Sequence, residues 1–319
     1  MTTAAATREL QTSHAVLMVR PAHFAANAET AGSNHFQRQA GGGLEVAARA
    51  AREFDALAVA LAAAGVRVHA FAGRTDQALP DEVFPNNWLS LHADGTAVLY
   101  PMLAPNRRRE RRADVLDALR SEHGYRISRV LDLTTLETGG GFLEGTGSVV
   151  LDRTNRVAYA CLSPRTRPDS LAAFGRELGY DTLSFDAADA QGRSIYHTNV
   201  LLSIGTRFAA LCTRALGADR LRVLDRLEAS GREIVDLTFE QLAAFAGNLL
   251  ELRGRGSVIA LSRTAFGSLG AVQRRTLEGH GELVIADVGT IESYGGGSVR
   301  CMLAEVALPR APDPERATP

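Results

Sequence analysis

Three side chains in this sequence can carry covalent and acid–base chemistry and sit in unusual surroundings. Cys301 follows a glycine run in Gly295-Gly296-Gly297-Ser298-Val299-Arg300-Cys301, His197 lies in Tyr196-His197-Thr198-Asn199, and Glu144 opens Glu144-Gly145-Thr146-Gly147. A thiolate is a strong nucleophile, an imidazole can exchange protons with it, and a neighbouring carboxylate favours imidazolium, which in turn favours thiolate. Glycines beside a thiol let a substrate come close. A buried structural thiol is the bland reading of a lone cysteine, and it suits Cys161 and Cys212, which sit inside apolar strands.

Composition narrows the chemistry. All 35 basic residues among the 319 are arginines, so Schiff-base chemistry, pyridoxal phosphate anchoring and a P-loop lysine are excluded. Three cysteines without CxxC spacing argue against a disulfide framework or a zinc knuckle and for a reducing, cytoplasmic compartment. No HExxH or paired-ligand spacing suggests a metal, and no cofactor is expected. The net charge of −1 carries one basic run, Arg107 to Arg112, which reads as a solvated helix start, so neither nucleic acid nor an anionic membrane is an expected partner. Met1 to His14 lacks the apolar core of an export signal, and no stretch approaches the roughly 18 uncharged apolar residues of a membrane span.

These residues need elements to bring them together. Helical periodicity is clearest over 44–64, with shorter patterns over 109–123, 169–178, 218–229 and 264–278. Between them lie paired apolar strands: 88–91 with 97–100, 149–151 with 157–160, 200–203 with 208–211, and 249–252 with 258–261. Each helix is followed by one more strand, at 126–131, 182–185, 233–235 and 283–285. The unit is strand, strand, helix, strand. Its starts fall near 87, 148, 198, 248 and 298, so that separations of 61, 50, 50 and 50 residues mark an internal repeat of the solenoid or propeller kind. The fifth unit is complete only if Ser298 to Val306 joins Ala15 to Arg20, the helix at 44–64 and Val66 to Phe71, which predicts a closed α/β array of ββαβ modules in one domain, residues 1–308. Residues 309–319, rich in proline and charge, read as a flexible tail. In a closed array the module starts converge, and these starts hold Asn87, Glu144, His197, Asn199, Asn248 and Cys301.

The segments LEGTGS, YHTNV, AGNLLEL, GGGSVRCMLAEV, CLSPRT and FPNNW make the chain resemble, over nearly its whole length, the guanidine-modifying members of the amidinotransferase or pentein superfamily. Within it the chain looks most like the citrulline-utilization hydrolases, which are related to arginine deiminase and dimethylarginine dimethylaminohydrolase. The resemblance implies a five-bladed α/β propeller, a covalent cysteine mechanism and no metal. It makes Cys301 the nucleophile, His197 the general acid and base, and Glu144 the carboxylate that orients the histidine; a turn glutamate is the alternative for Glu144. Arg165 matches an arginine that clamps the substrate's carboxylate, with Arg107 to Arg109 as weaker candidates and a surface helix-entry arginine as the alternative. The usual EGGD segment is EGTG here, which puts any role for that aspartate in doubt.

Where arginine deiminases grip a guanidinium with two aspartates, this chain has Asn87 and Asn199. A carboxamide offers one acceptor and two donors and suits a neutral ureido group, whereas buried aspartates would suit a cation. The resemblance and these two residues together predict hydrolysis of citrulline to ornithine, carbon dioxide and ammonia. The alternatives are hydrolysis of a guanidino substrate, as in arginine deiminase, dimethylarginine dimethylaminohydrolase or the succinylarginine dihydrolases, and a non-catalytic binding protein of the same fold. The long polar segment Pro21 to Gly43 is expected to close over the substrate, with Asn27 and Thr30 as contacts. A homo-oligomer is compatible with the sequence.

Overall fold

The computed structural model describes residues 9–310. Its strands are β1 (Ala15–Arg20), β2 (Arg67–Ala72), β3 (Leu89–Leu91), β4 (Thr96–Leu99), β5 (Arg129–Asp132), β6 (Val150–Asp152), β7 (Val157–Cys161) and β8 (Asp181–Phe185). They continue with β9 (Leu202–Ile204), β10 (Phe208–Leu211), β11 (Glu233–Asp236), β12 (Leu250–Arg253), β13 (Ser257–Ser262), β14 (Glu282–Ala286) and β15 (Ala304–Glu305). They form five three-stranded sheets, β3-β4-β5, β6-β7-β8, β9-β10-β11, β12-β13-β14 and β15-β1-β2. In each, the central strand pairs antiparallel with the strand before it in the unit and parallel with the one after it. The antiparallel pairs β3-β4, β6-β7, β9-β10 and β12-β13 need only short turns, while each parallel pair needs a crossover, which the helices supply.

The fifth sheet joins distant parts of the chain. Val16 and Leu17 pair with Glu305 and Ala304, and β1 runs parallel to β2 from Ala15 and Arg67 to Arg20 and Ala72. Central strands β7 and β10 are buried throughout and read as unbroken apolar runs because both their faces are covered. The crossover helix Leu44–Ala63 buries Val46, Ala50, Phe54, Leu57 and Leu61, the stripe that the sequence periodicity predicts.

Several boundaries differ from expectation, each for a local reason. The helix expected over 109–123 spans Ala113–Ser121, because Arg107–Glu110 forms a separate 3-10 turn held by ion pairing between those two residues. The pattern over 264–278 splits into Arg263–Ser268 and Ala271–His280, with Leu269 extended and the Gly270 N–H donating to Gln273 Oε1. The strand expected over 298–306 opens with a 3-10 turn, Val299–Met302, which leaves only Ala304–Glu305 as strand. The module starts at 85–87, 145–148 and 198–201 are also single helical turns rather than strand ends, and the turn at 145–148 packs against both of the others. Two residues placed in the expected tail are engaged with the fold: Pro309 O accepts from Arg126 N at 2.8 Å and Arg310 covers the Tyr125 ring. Residues 311–319 of that expected tail lie outside the described residues.

The strand ends away from these turns are tied by buried charge. Arg232 donates from Nη1 and Nη2 to both oxygens of Asp152 at 2.6 and 2.9 Å, and both residues are buried. Removing one partner strands the other charge in a dry interior, at a cost of about 3–5 kcal/mol. Asp152→Ala is therefore expected to lower unfolding stability by that order in urea titration, and the double change Asp152→Leu with Arg232→Met to recover much of it.

Candidate functional site

The six residues singled out by the sequence, Asn87, Glu144, Arg165, His197, Asn199 and Cys301, are all buried. Asn87, Arg165, His197 and Cys301 line one nearly filled cavity of about 10 Å³, shared with Asp81, Arg107 and Asn34. The helical turns explain this convergence. Gly145 at φ 50° lets the backbone pass close under the first turn, where a Cβ would lie 2.1 Å from Asn86 O. Thr198 Oγ1 donates to Ser148 O and accepts from Cys161 N, which binds the second turn to the third.

Glu144 is fully enclosed and fully engaged. Its Oε1 accepts from the Leu103 backbone N–H at 3.0 Å, and its Oε2 accepts from His197 Nε2 at 2.9 Å and from Arg165 Nη1 at 3.4 Å. Burial pushes its carboxyl upward, but Arg165, the bond from His197 and Arg107 together outweigh burial and hold it well below the usual carboxylate range. Glu144 is thus an anion, so Nε2 of His197 carries a proton toward it and Nδ1 is left as the basic atom. For His197 the balance runs the other way. Burial is the largest influence and, with Arg165 and Arg107, overrides the attraction of Glu144, bringing the imidazole down to about 4. The two guanidinium groups beside the pair, which the sequence could not show, work against the imidazolium that Glu144 favours.

Gly147, where the family pattern has its aspartate, packs directly on these groups. A Cβ there would lie 2.5 Å from Asn87 Nδ2 and 2.7 Å from His197 Nδ1. The glycine run before Cys301 also serves a packing purpose that the sequence did not suggest: Cβ atoms at Gly295 and Gly297 would fall 2.8 and 3.0 Å from the Phe84 ring, and one at Gly296 2.6 Å from Asn34. Cys301 Sγ meets two carboxamide donors, Asn248 Nδ2 at 3.2 Å and Asn199 Nδ2 at 3.4 Å. The other thiols are raised by burial, Cys161 to about 12 and Cys212 to about 11, as structural cysteines should be.

Arg107 overturns the reading of its basic run as solvated. Its guanidinium is buried, pairs two-pronged with Glu110 at 2.9 Å on each arm, and donates from Nη1 to Asn87 Oδ1 at 2.7 Å. A glutamate three residues on is the signal that could have marked it. Asn87 is correspondingly occupied, since its Nδ2 donates to Asn86 Oδ1 at 2.9 Å. Arg165 donates from Nε and Nη2 to Ser33 Oγ and from Nη2 to Thr30 O, so its fork holds the 21–43 segment. That segment covers the cavity. Asn27 Nδ2 donates to Asp81 Oδ2 at 2.7 Å, and Asn34 Nδ2 donates to Gly295 O at 3.1 Å. Asp81 was missed by the sequence reading because nothing local marks it; its Oδ1 is buried without a partner. Among the described residues no group of three or more His, Cys, Asp or Glu side chains is placed to hold a metal ion, and no helix is long and apolar enough to cross a membrane.

A buried thiol, imidazole and carboxylate thus lie together at the module starts. Residues 20–308 match the family model described as N,N dimethylarginine dimethylhydrolase, eukaryotic, and the chain belongs to that family of C–N hydrolases within the amidinotransferase or pentein superfamily. Among solved structures it is similar to the N-terminal domain of ArgZ, a cyanobacterial arginine dihydrolase, covalently bound to a reaction intermediate, with TM-score 0.70, 19% identity and coverage of 92% of this chain and 99% of that one. It is also similar to a cysteine-to-alanine mutant of AgrE with L-arginine, with TM-score 0.72 and 17% identity over 94% of this chain but only 41% of that one. A mutant of DDAH from Pseudomonas aeruginosa complexed with citrulline gives TM-score 0.63, 14% identity and coverage of 92% and 99%. At these identities the likeness speaks for the fold. No curated protein sequence matches the chain.

Gly147→Ala is expected to push His197 and Asn87 apart, lowering hydrolytic kcat strongly while costing about 1–3 kcal/mol of stability as an overpacked site; kinetics and urea melts on the same protein separate the two effects. The buried histidines set an acid limit. His197 and His92 are both lowered by burial from 6.5 to about 4, so below pH 6.5 the unfolded chain binds protons that the folded one refuses. Stability therefore rises with pH across the window from about 4 to 6.5, by up to about 1.4 kcal/mol per pH unit for each such histidine. Urea midpoints measured between these limits should fall steadily on acidification, and less steeply for His92→Gln.

Proposed function

We propose that this protein hydrolyses the ureido group of citrulline to ornithine, carbon dioxide and ammonia through a covalent intermediate on Cys301. The finer architecture proposed with it is a single five-bladed pseudo-symmetric α/β propeller, residues 1–308, with the site on its axis. The observation that carries the substrate reading is the division of charge in the cavity. The thiol is met by carboxamides, whereas the charged groups Asp81, Arg107 and Arg165 line the same cavity without bonding to the sulfur. A ureido group is neutral and offers both donors and an acceptor, so amides satisfy it without an uncompensated buried charge. The unpaired Oδ1 atoms of Asn199 and Asp81 are the acceptors left open, one suited to a ureido N–H and the other to an ammonium.

In this reading neutral His197 takes the Cys301 proton at Nδ1 as the sulfur bonds to the ureido carbon. The imidazolium, steadied by Glu144, then returns that proton to the departing nitrogen as its C–N bond breaks, leaving a thioester-like carbonyl on sulfur. Water gives one proton to His197 and bonds to the carbonyl carbon. The C–S bond breaks, the thiol recovers its proton, and the remaining carbamic acid separates into amine and carbon dioxide. Arg165 serves the amino acid's carboxylate by exchanging its bonds to Ser33 and Thr30 for it, while Arg107, engaged by Glu110 and Asn87, adds its charge.

A guanidino substrate is the second reading, favoured by the family and by the arginine-related names of the structural neighbours. Purified protein incubated with citrulline, arginine and methylated arginines should release ornithine and ammonia from citrulline alone, and Cys301→Ala should release none. Arginine consumed with ornithine or citrulline appearing, and citrulline untouched, would overturn the substrate reading. Replacing Asn199 by Asp should reduce kcat/KM for citrulline by about 10- to 100-fold, the cost of leaving a buried carboxylate poorly paired.

A further inference from the structure

Asn248 begins the module that the mechanism above does not use, and its carboxamide is held in one orientation by backbone alone. Its Oδ1 accepts from the Arg300 N–H at 3.1 Å, and its Nδ2 donates to Asn199 O at 2.8 Å. A backbone N–H can only donate and a carbonyl can only accept, so the amide cannot be flipped without breaking both bonds. The second Nδ2 proton is then directed at Cys301 Sγ, 3.2 Å away. Asn248 is wholly buried, and residue 300 is the sulfur's immediate chain neighbour, so the amide and the thiol are fixed to the same turn.

We propose that Asn248 is the residue that sets the ionisation of Cys301: a rigid N–H donor, assisted by Asn199, that stabilises the thiolate and aims the sulfur into the cavity. The inference rests on Cys301 being the nucleophile and not on which substrate it attacks. It supplies what the resting histidine does not, because a neutral imidazole offers no charge to hold a sulfur anion. The charged groups around the thiol are Arg107, Arg165, Asp81 and the Glu144–His197 pair across the cavity, and Arg300 on its own turn. Among the described residues the hydrogen bonds donated to Sγ come from Asn248 and Asn199. The same amide also serves the protonated thiol, whose S–H faces Asn248 Oδ1 at 3.7 Å. Ionisation therefore exchanges a long contact to oxygen for a shorter one from nitrogen, with the proton passing to His197 in turnover and to solvent in a pH titration.

The test is the ultraviolet thiolate absorbance of Cys301 against pH, with Cys301→Ser as the blank, so that no substrate enters the measurement. Asn248→Ala should raise the titration midpoint by about one unit, and Asn248→Asp by more, because it places a carboxylate against the sulfur while keeping the acceptor for the Arg300 N–H. In turnover, kcat should fall by about 10- to 100-fold with KM little changed. Asn248→Asp has nearly the shape of the native residue and decides the matter if the alanine variant does not fold. Wild-type midpoints in a folded variant would overturn the proposal, and so would a loss confined to melting temperature. Shifted midpoints in a protein that ignores citrulline would keep this inference and refute the substrate reading, so the two fail separately.

Discussion

Glu144 is an anion with no access to water, and burying an anion costs several kcal/mol unless partners surround it. The site can be read as the set of groups that meet this demand. His197 gives it a proton-bearing nitrogen, Leu103 a backbone N–H, and Arg165 a guanidinium that also reaches Ser33 and Thr30. Arg107 stands close enough to add its charge and holds Asn87 with another arm. One carboxylate thus organises the base, the covering segment and the first module's carboxamide. Its ionisation keeps the imidazole in a single tautomer.

That arrangement shapes the nucleophile's surroundings. Arg165, the bond from His197 and Arg107 together keep Glu144 charged against burial, and burial together with those same cations keeps His197 neutral. A neutral imidazole is well placed to accept a thiol's proton but poorly placed to steady a thiolate in advance. The pair of carboxamides at the sulfur fills this gap with dipoles rather than with a full charge, and a neutral substrate end would meet the same groups without a desolvated ion opposite it.

Much of this was legible in the sequence because it is written in periodicity. The near-constant spacing of the module starts, the apolar runs of β7 and β10 and the stripe on the helix Leu44–Ala63 gave five sheets, their order and the sharing of a sheet by β15 and β1. The converging starts brought Asn87, Glu144, His197, Asn199 and Cys301 within view. What escaped is tertiary. Arg107 reads as one of a run of surface arginines until Glu110 and Asn87 are seen on it, and Asp81 has no local mark at all. The protonation of His197 depends on cations from two other modules, and the one-turn helices replaced expected strand ends because their short polar residues turn inward to bond across modules.

The pairing of β15 with β1 fixes the order in which the site can come into being. Cys301 lies in the turn immediately before Ala304–Glu305, and that strand finds its partner nearly three hundred residues back along the chain. On the ribosome the imidazole, the carboxylate and the amides can be gathered while the sulfur is still unmade or inside the exit tunnel. The sulfur is therefore made after the imidazole, the carboxylate and the amides that come to surround it, and it joins them as the fifth sheet closes.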